Sequence, residues 1–133
     1  MSTVYSVLIV DDDADDREII RDAFQANYNS TDFIFIENGE KLMEYLENCE
    51  TLPALIMLDL NMPGKDGREA LKELKMHSDF RQIPTIVFTT SSSNKDRQMS
   101  YDLGANCFIT KPDTFNKLVE ITRSIGKLWL SSN

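Results

Sequence analysis

Apolar positions along the 133 residues follow two rhythms. Short, nearly continuous apolar runs fall at Val4–Val10, Phe33–Ile36, Ala54–Leu58, Thr85–Thr89 and Asn106–Thr110. All five read as strands, and Ala54–Leu58, five apolar residues without alternation, predicts a central strand buried on both faces. Between them the apolar residues recur every three or four positions, the period of a helix with one buried side. Ile19, Ile20, Ala23, Phe24 and Asn27 share one such side after Asp15, and Leu42, Met43, Tyr45 and Leu46 share another after Asn38, a predicted N-cap. Ala70, Leu71 and Leu74 mark a third helix ending near His77. Asp96–Leu103 is a weaker fourth closed by Gly104, and Phe115–Leu130 is a fifth with Leu118, Ile121, Ile125 and Leu128 inward. Strand and helix alternating five times over short connections predict a doubly wound α/β fold: parallel strands, right-handed crossovers and helices on both faces.

Ligands of open α/β sheets bind beyond the carboxyl ends of the strands. Asp11, Asp12 and Asp13 follow the first strand, Asp59 the third, Thr89 and Thr90 the fourth, and Lys111 the fifth. Taken singly, each has an ordinary explanation: a solvated loop, a helix cap, a β-branched strand former, a surface charge. Their joint placement at successive strand ends outweighs those explanations. Clustered carboxylates repel one another unless a cation joins them, and an all-oxygen donor set suits Mg²⁺ or Mn²⁺ better than zinc. A hydroxyl and a lysine beside Asp59 point to phosphoryl transfer onto that carboxylate.

Composition narrows the choice of partner. With 22 acidic and 14 basic residues the formal net charge is -8, which repels a nucleic-acid backbone and favours a protein partner with a basic face. Cys49 and Cys107 lack metal-binding or CxxC spacing and read as free thiols of a reducing compartment. With no leader pattern and no apolar segment near the ~20 residues that span a bilayer, a cytoplasmic location is expected.

With these residues in place, the chain resembles the receiver domain of bacterial two-component response regulators over essentially its whole length. The matching positions are the acidic pair Asp11 and Asp12, Asp59, Thr89, and Lys111-Pro112. The resemblance implies a flavodoxin-like (βα)5 sheet with strand order 2-1-3-4-5, one receiver domain over residues 1–133 and no output domain. It implies that Asp59 accepts a phosphoryl group from phosphohistidine and takes part in the metal shell with Asp12, with Asp11 through a water, and with the backbone carbonyl of Asn61. Thr89 and Lys111 would bind the phosphoryl group, Phe108 would be the switch aromatic, and the peptide before Pro112 would be cis. Such a protein is a signalling phosphoacceptor with self-catalysed phosphotransfer and slow autodephosphorylation, not an enzyme with a substrate of its own.

Phe108 lacks the hydroxyl of a tyrosine, so an inward ring is expected even without phosphate. Thr90, Ser91 and Asn61 stand where they would tune the phosphoryl lifetime, and Asp13 reads as a helix cap. The segment from His77 to Pro84 and the serine-rich loop after Thr90 make the chain similar to stand-alone regulators that serve phytochrome-type and other hybrid kinases. Implied partners are a histidine kinase or phosphotransfer protein, a downstream protein target, and a second copy of the chain. Exposed on the last helix, Trp129 would anchor such a contact; packing over the sheet edge is the other reading. A flavodoxin-like electron carrier would need a Ser/Thr/Gly-rich loop where Asp11–Asp13 stand. A Mg²⁺-dependent phosphohydrolase would need a cap for which the chain is short, and a pseudo-receiver would not need the intact acidic set.

Overall fold

A computed structural model describes residues 5–130, and the expected start of the first strand at Val4 lies outside them. In chain order the elements are β1 (Ser6–Val10), α1 (Ala14–Gln25), β2 (Asp32–Ile36), α2 (Gly39–Asn48), β3 (Leu55–Leu58), α3 (Gly67–Met76), β4 (Thr85–Thr89), α4 (Asn94–Leu103), β5 (Cys107–Thr110) and α5 (Phe115–Trp129). The five strands form one sheet in the order β2-β1-β3-β4-β5, with every pair parallel.

The absence of alternation in the apolar runs follows from a core on each side of the sheet. Leu8, Val10, Ile56, Leu58 and Val87 face Leu42, Met43, Leu46, Leu71 and Leu74 of α2 and α3. Their strand neighbours Val7, Ile9, Leu55, Met57 and Ile86 face Ile20, Ala23, Phe24, Leu118 and Ile125 of α1 and α5. Successive strand residues therefore bury on opposite faces. Each fully buried aliphatic side chain contributes about 1.5–3 kcal/mol.

Local chemistry sets the helix starts. Asp13 accepts from the N–H groups of Asp15 and Asp16 and caps α1; Asn38, Asp66, Ser93 and Thr114 cap the other four helices. Gly104 closes α4 in the left-handed conformation. Three expectations about faces are corrected. Asn27 lies beyond the end of α1 and is exposed, and Ile19 is 44% exposed although it is next to buried Ile20. Leu128 is 71% exposed, because α5 turns Thr122 and Gly126 inward instead. At Gly126 a Cβ would meet the Tyr28 ring at 2.1 Å, and the Tyr28 hydroxyl donates to the Arg123 carbonyl at 2.8 Å. That close approach seats Gly126, not Leu128, on the inner face, while Leu118 stays buried as expected. Trp129 is half-buried and packs with the α1–α5 core. Cys49 and Cys107 are free and partly buried. Among the described residues, no helix is long and apolar enough to cross a membrane.

Candidate functional site

The register of the central strands fixes the site. Val10 of β1 lies beside Leu58 of β3, so Asp11 and Asp59 leave the sheet side by side. The Asp59 N–H donates to the Val10 carbonyl and the Asp11 N–H to the Ile36 carbonyl, each at 3.0 Å. Both carboxylates are buried, 2% exposed for Asp11 and 6% for Asp59, whereas Asp12 is exposed. Carboxylate oxygens of Asp11, Asp12 and Asp59 lie within 4.8 Å of one another. The turn after Asp59 comes back close to it: the Gly67 N–H donates to the Leu60 carbonyl at 2.9 Å, and a Cβ on Gly67 would stand 2.0 Å from the Asp59 carbonyl oxygen. Only glycine allows α3 to start so near the site.

Lys111 reaches this cluster from the end of β5. Its ammonium donates to Asp11 Oδ2 at 2.7 Å and to Asp16 Oδ2 at 2.8 Å, and lies 3.8 Å from Asp59 Oδ2. Burial works against the lysine's charge, but its hydrogen bonds to Asp11 and Asp16 outweigh burial and hold it well above the ordinary lysine range. Burial also pushes Asp11 above the ordinary carboxylate value, and Asp59 adds repulsion. The Lys111 bond and the Asp13 N–H, which donates to Asp11 at 2.9 Å, pull in the opposite direction without cancelling the shift. A single ammonium thus serves Asp11, Asp16 and Asp59, and exposed Asp12 lies open to a further cation. Three converging hard oxygens, two of them buried and one open to solvent, form a donor set that fits Mg²⁺ or Mn²⁺.

Thr89 lies fully buried at the end of β4. Its hydroxyl accepts from the Asn61 side-chain amide at 3.3 Å and from the Ser91 N–H at 3.4 Å. Around the same corner the Ser91 hydroxyl donates to Asp96 Oδ2 at 2.8 Å, and Arg68 grips Asp96 with Nε at 3.0 Å and Nη2 at 2.8 Å. Arg68 is the main cause that holds Asp96 below the ordinary carboxylate value. Phe108 is turned inward at 3% exposure. The Arg97 guanidinium stands 4.8 Å from the Phe108 ring centroid, and the Phe108 backbone N–H donates to the Tyr101 hydroxyl at 3.0 Å. Thr90 is exposed beside Thr89.

The structure brings together Asp11, Asp12, Asp59 and Lys111, with Thr89, Asn61 and Ser91 in one adjoining network. The expected cis peptide before Pro112 is not present: all peptides among the described residues are trans. Trans is the intrinsically favoured isomer of an X-Pro bond by about 0.5–1 kcal/mol, and Lys111 reaches Asp11 with it. Sequence reasoning missed Asp16, Arg68, Asp96 and Tyr101. Asp16 had an adequate local explanation at the positive end of α1, and its partner lies 95 residues away.

Fold and site together define a receiver. The response regulator receiver domain model matches residues 7–123, and the chain belongs to that family. Response regulator Rcp1 of Synechocystis sp. is 33% identical over 131 residues, 95% of this chain and 89% of Rcp1. The solved structure of the phosphorylated cyanobacterial phytochrome response regulator RcpA matches with a TM-score of 0.91 at 34% identity, covering 98% of this chain and 97% of RcpA. The Mn²⁺-bound form of Rcp1 matches at 0.86 and 32% identity, covering 97% of this chain and 96% of that one. The protein is a phosphoacceptor of two-component signalling.

Proposed function

We propose that Asp59 is the phosphoacceptor, and that the protein relays a phosphoryl group from a sensor histidine kinase of the phytochrome-associated or a related hybrid type. The observation that carries this reading is the convergence of Asp11, Asp12, Asp59 and Lys111 from three different strand ends. Asp59 attacks the phosphorus of phosphohistidine: an Asp59 oxygen–phosphorus bond forms and the phosphorus–nitrogen bond breaks. The imidazole leaves with the electron pair and takes up a proton. Hydrolysis reverses the state, with water adding to phosphorus as the Asp59 oxygen departs, which yields inorganic phosphate. Asp11, Asp12, Asp59 and the Asn61 carbonyl would hold Mg²⁺, which when bound offsets the negative charge of the carboxylates and of the phosphoryl oxygens.

Lys111 donates to a phosphoryl oxygen, and Thr89 gives up its contacts with Asn61 and the Ser91 N–H to donate to another. Movement of Thr89 and Ser91 disturbs Asp96 and with it the start of α4. Thr90, Ser91 and Asn61 line the approach and tune how long the adduct lasts. Phe108 starts inward, so the change on phosphorylation is read through Ser91, Asp96 and Arg68 more than through a turn of the ring. The phosphorylated state signals by binding a protein target or a second copy. Transfer of labelled phosphate from an autophosphorylated histidine kinase tests the reading. Label is expected on the wild type and absent from Asp59→Asn; label retained in Asp59→Asn overturns it.

A further inference from the structure

Lys111 has three N–H donors, and two of them are spent on Asp11 and Asp16, at 2.7 and 2.8 Å, while Asp59 stands out of hydrogen-bond range at 3.8 Å. Asp11 belongs to the carboxylate cluster; Asp16 does not. Asp16 projects from the first turn of α1, and that helix is fixed to the site independently of Lys111. Asp13 caps it, the Arg17 guanidinium donates to the Asp11 carbonyl at 2.7 Å, and Ile20 and Phe24 are buried beneath it. A carboxylate on a rigid support thus draws the ammonium sideways, toward a cavity of about 240 Å³ that Asp16 and Lys111 line with Phe88, Pro112 and Phe115.

We propose that Asp16 is a positioning residue that holds the Lys111 ammonium back from Asp59 until a phosphoryl group arrives, and so slows phosphorylation of the resting protein. This rests on Asp59 being the phosphoacceptor. A phosphoryl group on Asp59 competes with Asp16 for the same donor, and the charge-assisted bond to the new dianion wins because it lies deeper and carries more charge. The ordinary reading, a surface ion pair worth almost nothing, suits pairs exposed on both sides. Here the lysine side chain is only 14% exposed.

Asp16→Asn removes the charge without shortening the side chain. Phosphorylation by acetyl phosphate with Mg²⁺ is expected to accelerate about three- to tenfold, a barrier change of roughly 0.7–1.4 kcal/mol. Asp16→Glu is expected to keep a rate close to wild type. In a Lys111→Ala background the Asp16→Asn change is expected to do nothing; where thermal unfolding shows that Lys111→Ala does not fold, Lys111→Met retains the packed stem and serves instead. Without metal or phosphodonor, the ammonium protons of Lys111 in ¹⁵N-labelled protein are expected to exchange slowly in the wild type and faster in Asp16→Asn. An unchanged rate in Asp16→Asn, the same acceleration without Lys111, or unchanged proton exchange would each overturn the proposal. Asp59→Asn, run in parallel, separates the two levels: an adduct there defeats the phosphoacceptor reading, while its absence beside an unaltered Asp16→Asn rate defeats this inference alone.

Discussion

Two charged clusters lie at the carboxyl end of the sheet, and acid acts on them with opposite sign. Around Lys111 one ammonium serves Asp11, Asp16 and Asp59, and burial raises the Asp11 value. Around Asp96 one guanidinium grips a carboxylate in two places, with Asp66 a looser second partner at 3.5 Å, and the Asp96 value is lowered. A raised carboxylate loses native-state stability as pH climbs from the unfolded value, about 3.9, through the folded one. A lowered carboxylate contributes stability that is complete above about 3.9 and is lost as pH falls through the folded value. The first cluster is therefore held under electrostatic stress that a cation or a change of partner relieves, which suits it to bind and react. The second is satisfied as it stands, and it ties α3 to the β4–α4 loop.

The contrast can be broken most sharply at its shared cation. Lys111→Ala leaves Asp11 buried and unpaired beside Asp59, and a loss of about 3 kcal/mol in urea unfolding is expected. Asp11→Asn works the other way: removing the buried charge at neutral pH should raise the midpoint of thermal unfolding by about 3–5 °C, the shift that roughly 1 kcal/mol produces in a domain of this size. That advantage should shrink as pH is lowered through the Asp11 value, because the wild-type carboxyl is then neutral too. A gap that widens in acid would contradict the sign assigned to this cluster.

Smaller effects sharpen the other side of the comparison. Arg68 is 36% exposed, so Arg68→Ala should cost only about 0.5–1 kcal/mol, and less at high salt. In contrast with Asp11→Asn, Asp96→Asn should lose stability at neutral pH, with its deficit fading in acid. Tyr101→Phe removes the acceptor of the Phe108 N–H and should cost about 0.5–1 kcal/mol without altering the phosphorylation rate.

What the sequence disclosed depends on how local its cause is. β1, β3 and β4 were legible because burial on both faces leaves an apolar run, and the meeting of Asp11, Asp12, Asp59 and Lys111 was legible because β1, β3 and β5 carry them at their ends. The caps Asp13, Asn38 and Gly104 were legible for the same reason, since each bonds within a few residues of itself. Leu128 was misplaced because helix periodicity is silent about the Tyr28 ring that presses on Gly126. Asp16 and the Arg68–Asp96 grip were missed because their partners lie 95 and 28 residues away, where no spacing rule reaches.

The most direct measurement is the intact mass of the protein after acetyl phosphate treatment, with Mg²⁺ or with chelator, for the wild type and Asp59→Asn. One added phosphoryl group is expected on the wild type with Mg²⁺, lost on hydroxylamine treatment and absent in the other three states. The same adduct on Asp59→Asn, or on the wild type with the metal removed, would contradict the assignment of Asp59 and its carboxylate neighbours.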